Sequence, residues 1–148
     1  MLITEVMDVS RVDLHLKGTT KDEILREIVD IFDKDGVLSD KEQFLKDVYE
    51  REAEGPTGMT NGLCIPHGKS DAVIRTSIAI CRSDKYIEWE SLDEEPVKVF
   101  VMMAVRNTDK SELVSLLSQV AIKLCDDELV AKLFETESAN EVINLFNQ

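Results

Sequence analysis

The apolar run Val97–Val105, VKVFVMMAV, is the feature that most constrains the fold. A strand with one face in water alternates apolar and polar residues, whereas this run is apolar at almost every position. Such a run predicts a central strand that is covered on both faces. In α/β proteins such a strand is covered by helices on both faces, so the run is consistent with a layered α/β domain.

Sequence patterns typical of helices occur both before and after this strand in the chain. A Thr or Ser followed three residues later by Glu is the capping-box pattern, in which each side chain bonds the other residue's backbone N–H. Three such capping boxes precede apolar stripes with helical spacing: Thr20–Glu23, Ser39–Glu42 and Ser138–Glu141. Gly36 is placed to end the helix that starts at the first box, and Gly55-Pro56 to end the helix that starts at the second. We also expect Asp109–Glu112 to cap a helix and Leu129–Phe134 to lie in another.

Two further segments are predicted to form strands. Val12, Leu14 and Leu16 alternate with polar residues, and Ile78–Cys81 is continuously apolar. Together with the helices, they predict one α/β domain over residues 1–148, with a mixed sheet flanked by helices.

Charge and cysteine content restrict the possible partners and the location. Thirty acidic against seventeen basic residues give a formal net charge of −13. This charge disfavours non-specific binding to nucleic acid or anionic lipid and favours a basic partner surface, although acidity can also serve solubility alone. The three cysteines favour reduced thiols over a disulfide framework. No run approaches the about 18 apolar residues of a membrane span, and no secretory signal is visible, so we expect a cytoplasmic protein.

The chain has two histidines, and they sit in different contexts. His15 alternates with Leu14 and Leu16, which predicts a surface position on the first strand. His67 lies in the glycine- and proline-rich segment 55–69, which we interpret as a loop with at most a short strand at 63–65. A loop can aim a side chain into a cleft, although a structural histidine is the alternative interpretation.

The residues before His67 favour phosphate chemistry over other reactions. Cys64 and His67 lack a second ligand pair, so we expect no metal, and no nucleophile-elbow, Walker or kinase motif occurs. Arg51-Glu52, Thr57-Gly58 and Asn61-Gly62 offer a guanidinium, a hydroxyl and backbone N–H groups that suit phosphate oxygens. A histidine that is partly neutral near pH 7 can attack phosphorus directly, without a cofactor.

The run from Arg51 to Lys69, REAEGPTGMTNGLCIPHGK, resembles the active-site segment of the fructose/mannitol-type IIA component of the bacterial sugar phosphotransferase system. The likeness extends over nearly the whole chain, including Thr20-Lys21, Trp89–Asp93 and Leu116–Ser118. It implies a mixed sheet flanked by helices, which agrees with the pattern of the residues.

The resemblance also implies a function and a set of partners. His67 would accept a phosphoryl group from the phosphocarrier HPr and pass it to a cysteine of a IIB component. The IIB component would then phosphorylate a sugar at the membrane IIC component, and we expect this sugar to be fructose-like. Arg51 would steady the phosphate. The pocket would be shaped by four more residues: Glu52, Thr57, Gly58 and Asn61.

Leu113 is the main departure from the family pattern. Many members carry a second active-site histidine at the corresponding position, whereas the helical stripe makes Leu113 a core residue. Two alternatives to the transport function stay open, and Leu113 favours the second. The first is a regulatory domain that signals through the phosphorylation of His67, as in the nitrogen-related branch. The second is a binding domain with an inert histidine.

Overall fold

A mixed five-stranded sheet with strand order β1-β4-β5-β2 organises the chain, and β3 also pairs with β5. The computed structural model describes every residue from Met1 to Gln148. The strands are β1 Met7–Leu16, β2 Leu63–Cys64, β3 His67–Ser70, β4 Ser77–Ile87 and β5 Val97–Arg106. The helices are α1 Lys21–Lys34, α2 Lys41–Glu54, α3 Leu113–Leu124, α4 Asp127–Glu135 and α5 Ala139–Phe146, with short 3-10 helices at Ile3–Glu5 and Asn107–Glu112.

Strand β5 is the predicted central strand. It pairs antiparallel with β4 and parallel with β2 and β3, and its residues 99–105 are all buried. Phe100, Met102 and Ala104 pack into a cluster with α1 and α2, while Val101 and Met103 pack into a second cluster with α3, α4 and α5. Helices therefore cover both faces of the sheet, and the predicted α/β class is confirmed.

The helix starts follow the capping chemistry, with one shift. Thr20 caps α1 by accepting from the Glu23 N–H at 3.2 Å, and Ser138 caps α5 in the same way. The predicted cap of α2 is wrong by one residue. Asp40 accepts from the Gln43 N–H at 3.1 Å, whereas the Ser39 hydroxyl donates to the Ala72 carbonyl at 3.3 Å. Asp and Ser are equally good caps, so the pattern alone does not choose between neighbours.

The predicted cap of α3 is also wrong. Residues 107–112 form the 3-10 helix, and α3 begins at Leu113 without a side-chain cap. The Asp109 carboxylate instead accepts from the Thr76 hydroxyl at 2.8 Å and from Arg106. This contact ties the end of β5 to the start of β4 and fixes the approach to α3.

The segment 55–69 contains more strand than the sequence predicts. After the turn at Asn61 and Gly62, both with positive φ, the chain forms β2, and β3 starts at His67 in parallel register with Met103. His67 is therefore a strand residue, and its interpretation as a loop residue is wrong. Pairing with β5, more than thirty positions along the chain, outweighs the local glycine and proline content.

The cysteines form no disulfide: Cys64 and Cys81 are buried and Cys125 is exposed. No group of three or more His, Cys, Asp or Glu side chains is placed to hold a metal ion. None of the helices is both long enough and apolar enough to cross a membrane.

Candidate functional site

His67 and Arg51 meet where β3 begins beside the last turn of α2. The close approach depends on Gly68, where an added Cβ would lie 3.1 Å from Val48 Cγ2 on α2. Arg51 Nε donates to His67 Nε2 at 3.2 Å, and Arg51 Nη1 donates to the Gly55 carbonyl at 2.9 Å. The Nη2 group of Arg51 has no hydrogen-bond partner.

The hydrogen bonds of His67 define its tautomer. Its Nδ1 lies 3.1 Å from the Ile65 carbonyl oxygen, which can only accept, so Nδ1 carries the proton. Nε2 then holds a free electron pair, which faces the Arg51 N–H. His67 is 5% exposed, so this orientation is set by packing as well as by hydrogen bonds.

Burial lowers the pKa of His67 below its usual value, and the positive charges of Arg51 and Lys69 act in the same direction. The bond to the Ile65 carbonyl and the charge of Glu52 oppose this lowering of the pKa, but burial is the largest effect. The neutral imidazole is consequently the main form near pH 7, and Nε2 is available as a nucleophile.

A cavity of about 300 Å³ opens at this imidazole. Its walls carry two cations beside His67, three carboxylates and one apolar side chain: Arg51, Lys69, Asp47, Glu50, Glu54 and Leu113. The cations can neutralise a bound phosphoryl group, while the carboxylates make the surrounding surface acidic.

Leu113 occupies the first position of α3 and lines the cavity of His67. It is half-buried and also packs against the hydrophobic cluster below α3. Both interpretations of this residue therefore hold: it is part of the core, and it makes one wall of the site apolar.

Three of the predicted pocket residues lie behind the site and do not line the cavity. The Glu52 carboxylate is buried, accepts from the Thr57 hydroxyl and pairs with Lys21 Nζ at 3.0 Å. Gly58 bridges to both Cys64 and Ser91, and an added Cβ at this glycine would collide with the Glu90 carbonyl oxygen. These residues fix the backbone that leads to His67.

Asn61 lies elsewhere, so the prediction that it shapes the pocket of His67 does not match its placement. Its backbone has φ of 59° and its N–H donates to Asp93 Oδ2 at 3.0 Å. It lines a separate cavity of about 610 Å³ together with Tyr86 and Phe134.

Four residues that line the cavity of His67 were not predicted from the sequence, although their spacing along α2 and β3 could have identified them. Asp47, Glu50 and Glu54 share one face of α2 with Arg51, because residues three or four apart on a helix are neighbours. Lys69 follows His67 by two positions on a strand and therefore points to the same side of the sheet.

His15 lies at the surface, as predicted. Its ring nitrogens contact Asp84 Oδ1 at 3.0 Å and Glu137 Oε2 at 2.6 Å. Hydrogen bonds to Asp84 and Glu137 raise the pKa of His15, and the bond to Asp84 has the larger effect.

Residues 5–148 match the protein family described as "Phosphoenolpyruvate-dependent sugar phosphotransferase system, EIIA 2". The chain belongs to this EIIA 2 family. It is similar to the fructose-specific EIIABC component of Bacillus subtilis, with 31% identity over 148 residues, 100% of this chain and 23% of that protein. It is also similar to the fructose-specific EIIA component of Haloferax volcanii, with 29% identity over 95% of this chain and 91% of that protein.

Solved structures share the EIIA 2 fold. Nitrogen regulatory protein IIA-Ntr from Neisseria meningitidis has a TM-score of 0.89 at 24% identity and covers 97% of this chain and 98% of its own. Mannitol IIA of Escherichia coli, in its complex with phosphorylated mannitol IIB, has a TM-score of 0.80 at 20% identity, covering 96% of this chain and 99% of that chain. At these identities the likeness concerns the fold alone.

Proposed function

We propose that this protein is a cytoplasmic, single-domain sugar IIA component that carries a phosphoryl group on Nε2 of His67. It receives the group from phosphorylated HPr and passes it to a cysteine of a IIB component, which serves uptake of a fructose-like sugar at the membrane IIC component. The observation that carries the proposal is the pairing of a neutral His67, protonated on Nδ1, with the Arg51 guanidinium in one cavity.

This geometry supports the following transfer step. The Nε2 electron pair attacks phosphorus, a new N–P bond forms, and the N–P bond of phospho-HPr breaks with its electrons returning to the HPr imidazole. The proton stays on Nδ1 and remains hydrogen-bonded to the Ile65 carbonyl oxygen, which stabilises the positive charge that develops on the ring. The Arg51 Nε–H leaves Nε2, and Nε and the unpaired Nη2 become two donors to the phosphoryl oxygens.

The surface around the site suits the proposed donor. Asp47, Glu50 and Glu54 ring the cavity, and the net charge of the chain is −13. An acidic surface attracts a basic partner and speeds its association, and the family resemblance implies that HPr docks through a basic surface.

The names of similar proteins support the substrate class and the acceptor. Two relatives are fructose-specific components, and one similar fold is a mannitol IIA bound to phosphorylated mannitol IIB. The chain spans about a quarter of the Bacillus subtilis relative, so the sugar, HPr and IIB remain proposals for this protein.

The test is phosphorylation by phospho-HPr, followed by addition of IIB. We expect one acid-labile, base-stable phosphoryl group, absent from His67→Ala and unchanged in His15→Ala, and discharge of this group to the IIB cysteine. Equal labelling of His67→Ala would contradict the assignment. A labelled protein that discharges to no IIB component would favour the regulatory alternative.

A further inference from the structure

Glu52 is a buried carboxylate with a single cation beside it. Its side chain is 4% exposed, and Lys21 Nζ lies 3.0 Å from Oε2. The same ammonium lies 4.9 Å from the centre of the Trp89 ring, so it is held between a carboxylate and an aromatic face. Removing one partner of a buried ion pair leaves the other charge uncompensated, so Lys21 stabilises the Glu52 carboxylate.

A continuous chain of hydrogen bonds runs from this pair to the imidazole. Lys21 and the Thr57 hydroxyl donate to the two oxygens of Glu52. The Thr57 carbonyl accepts from the Ile65 N–H at 3.0 Å. The Ile65 carbonyl in turn accepts from His67 Nδ1 at 3.1 Å. The last bond in this chain is the one that determines the tautomer of His67.

We infer that Lys21 is a positioning residue for phosphoryl transfer at His67. By offsetting the charge of Glu52, Lys21 holds the carboxylate in place as the acceptor for the Thr57 hydroxyl. Thr57 in turn holds the Ile65 carbonyl beside Nδ1 of His67, and this leaves Nε2 as the nucleophile. The inference rests on the proposed function, because it assigns a role in that transfer.

The charges around His67 determine the electrostatic effect of removing Lys21. α2 contributes Arg51 and Glu52, α3 contributes the uncharged Leu113, and the cavity walls carry three further carboxylates and one lysine: Asp47, Glu50, Glu54 and Lys69. Glu52 acts to raise the pKa of His67. Without Lys21 its charge is no longer offset, so the pKa of His67 rises and less of the ring is neutral near pH 7.

The experiment compares Lys21→Met with Lys21→Arg. We expect Lys21→Met to slow single-turnover phosphorylation by phospho-HPr about 5- to 20-fold near neutral pH and to shift its pH profile upward. In ¹⁵N NMR spectra of the unphosphorylated protein, His67 should show a raised pKa and a population protonated on Nε2. Lys21→Arg, which keeps the charge, should stay within about 2-fold of the original rate.

Lys41→Met is the matched control. Lys41 is the first residue of α2, as Lys21 is of α1, and it bonds Asp30 at 3.2 Å. That pair is exposed, at 46% and 49%, and is not connected to His67, so we expect an unchanged rate and an unchanged His67 spectrum.

The double variant Lys21→Met/Glu52→Gln separates positioning from a general loss of stability. It removes both charges and keeps an acceptor for Thr57, so we expect the His67 tautomer and most of the rate to return. A Lys21→Met protein with the original tautomer, pKa and rate would overturn the inference, as would a double variant that folds but stays as slow as Lys21→Met. If Lys21→Met alone does not fold, a double variant that folds with the original His67 tautomer and most of the rate supports the inference. A double variant that folds but is slow, or whose His67 is protonated on Nε2, overturns it.

The two proposals fail in different ways. Normal labelling of both the original protein and Lys21→Met contradicts only the role of Lys21. Absence of labelling in the original protein contradicts the proposed function, while the NMR spectra of the unphosphorylated proteins still show whether Lys21 determines the tautomer.

Discussion

The Arg51 guanidinium contacts two groups at once, and this decides the effect of a conservative change. Its Nη1 is anchored on the Gly55 carbonyl while Nε faces His67. A lysine ammonium is a single point charge and cannot keep both contacts. We therefore expect Arg51→Lys to slow single-turnover transfer from phospho-HPr by about 10- to 100-fold, or roughly 1.4–2.7 kcal/mol. An unchanged rate would remove Arg51 from the phosphate site.

Leu113 leaves one wall of the cavity without a hydrogen-bond donor. Leu113→His adds a ring N–H there, and we expect it to prolong the life of the phosphorylated protein. Because the leucine is also packed against the core, the change costs about 1–3 kcal/mol of unfolding free energy. The control is Val114→His, since Val114 is 71% exposed and does not line the cavity. Equal phosphate lifetimes in both variants would contradict the role given to this wall.

Among the elements, α2 carries most of the site, and its start makes a separate prediction. Asp40→Ala removes the cap and should lower the unfolding free energy by about 1 kcal/mol in urea titrations. Ser39→Ala removes one hydrogen bond to the Ala72 carbonyl and should cost less. A larger loss from Ser39→Ala would reverse the assignment of the cap.

The sequence predicted elements that depend on local pattern and missed features that depend on distant pairing. The burial of β5 follows from its own residues, whereas the strand at His67 exists because Met103 pairs with it. His67 and Arg51 were correctly predicted to lie together. The prediction that Asn61 lies in the pocket was wrong. A turn with positive φ directs the chain away from the site at this point, and the spacing of residues does not predict the direction of a turn.

For the whole molecule, the two histidines change stability in opposite directions with pH. The folded-state pKa of His15 is raised, so its contribution is complete below about pH 6.5 and is lost as pH rises through the folded-state value. The folded-state pKa of His67 is lowered, so the unfolded chain takes up protons first and stability falls as pH drops below about 6.5.

Urea unfolding of His15→Gln and His67→Gln on either side of that pH tests these signs. We expect His15→Gln to lose more stability, relative to the original protein, on the acidic side. His67→Gln should flatten the acidic decline. A decline that is identical in His67→Gln and the original protein would contradict the buried, neutral state of His67.

An NMR spectrum of the His67 ring after phosphorylation by phospho-HPr tests directly whether Nε2 carries the phosphoryl group. We expect phosphorus bonded to Nε2, with Nδ1 still protonated and hydrogen-bonded to the Ile65 carbonyl. A phosphoryl group on Nδ1, or an unmodified His67 in a protein that is phosphorylated elsewhere, would contradict this expectation.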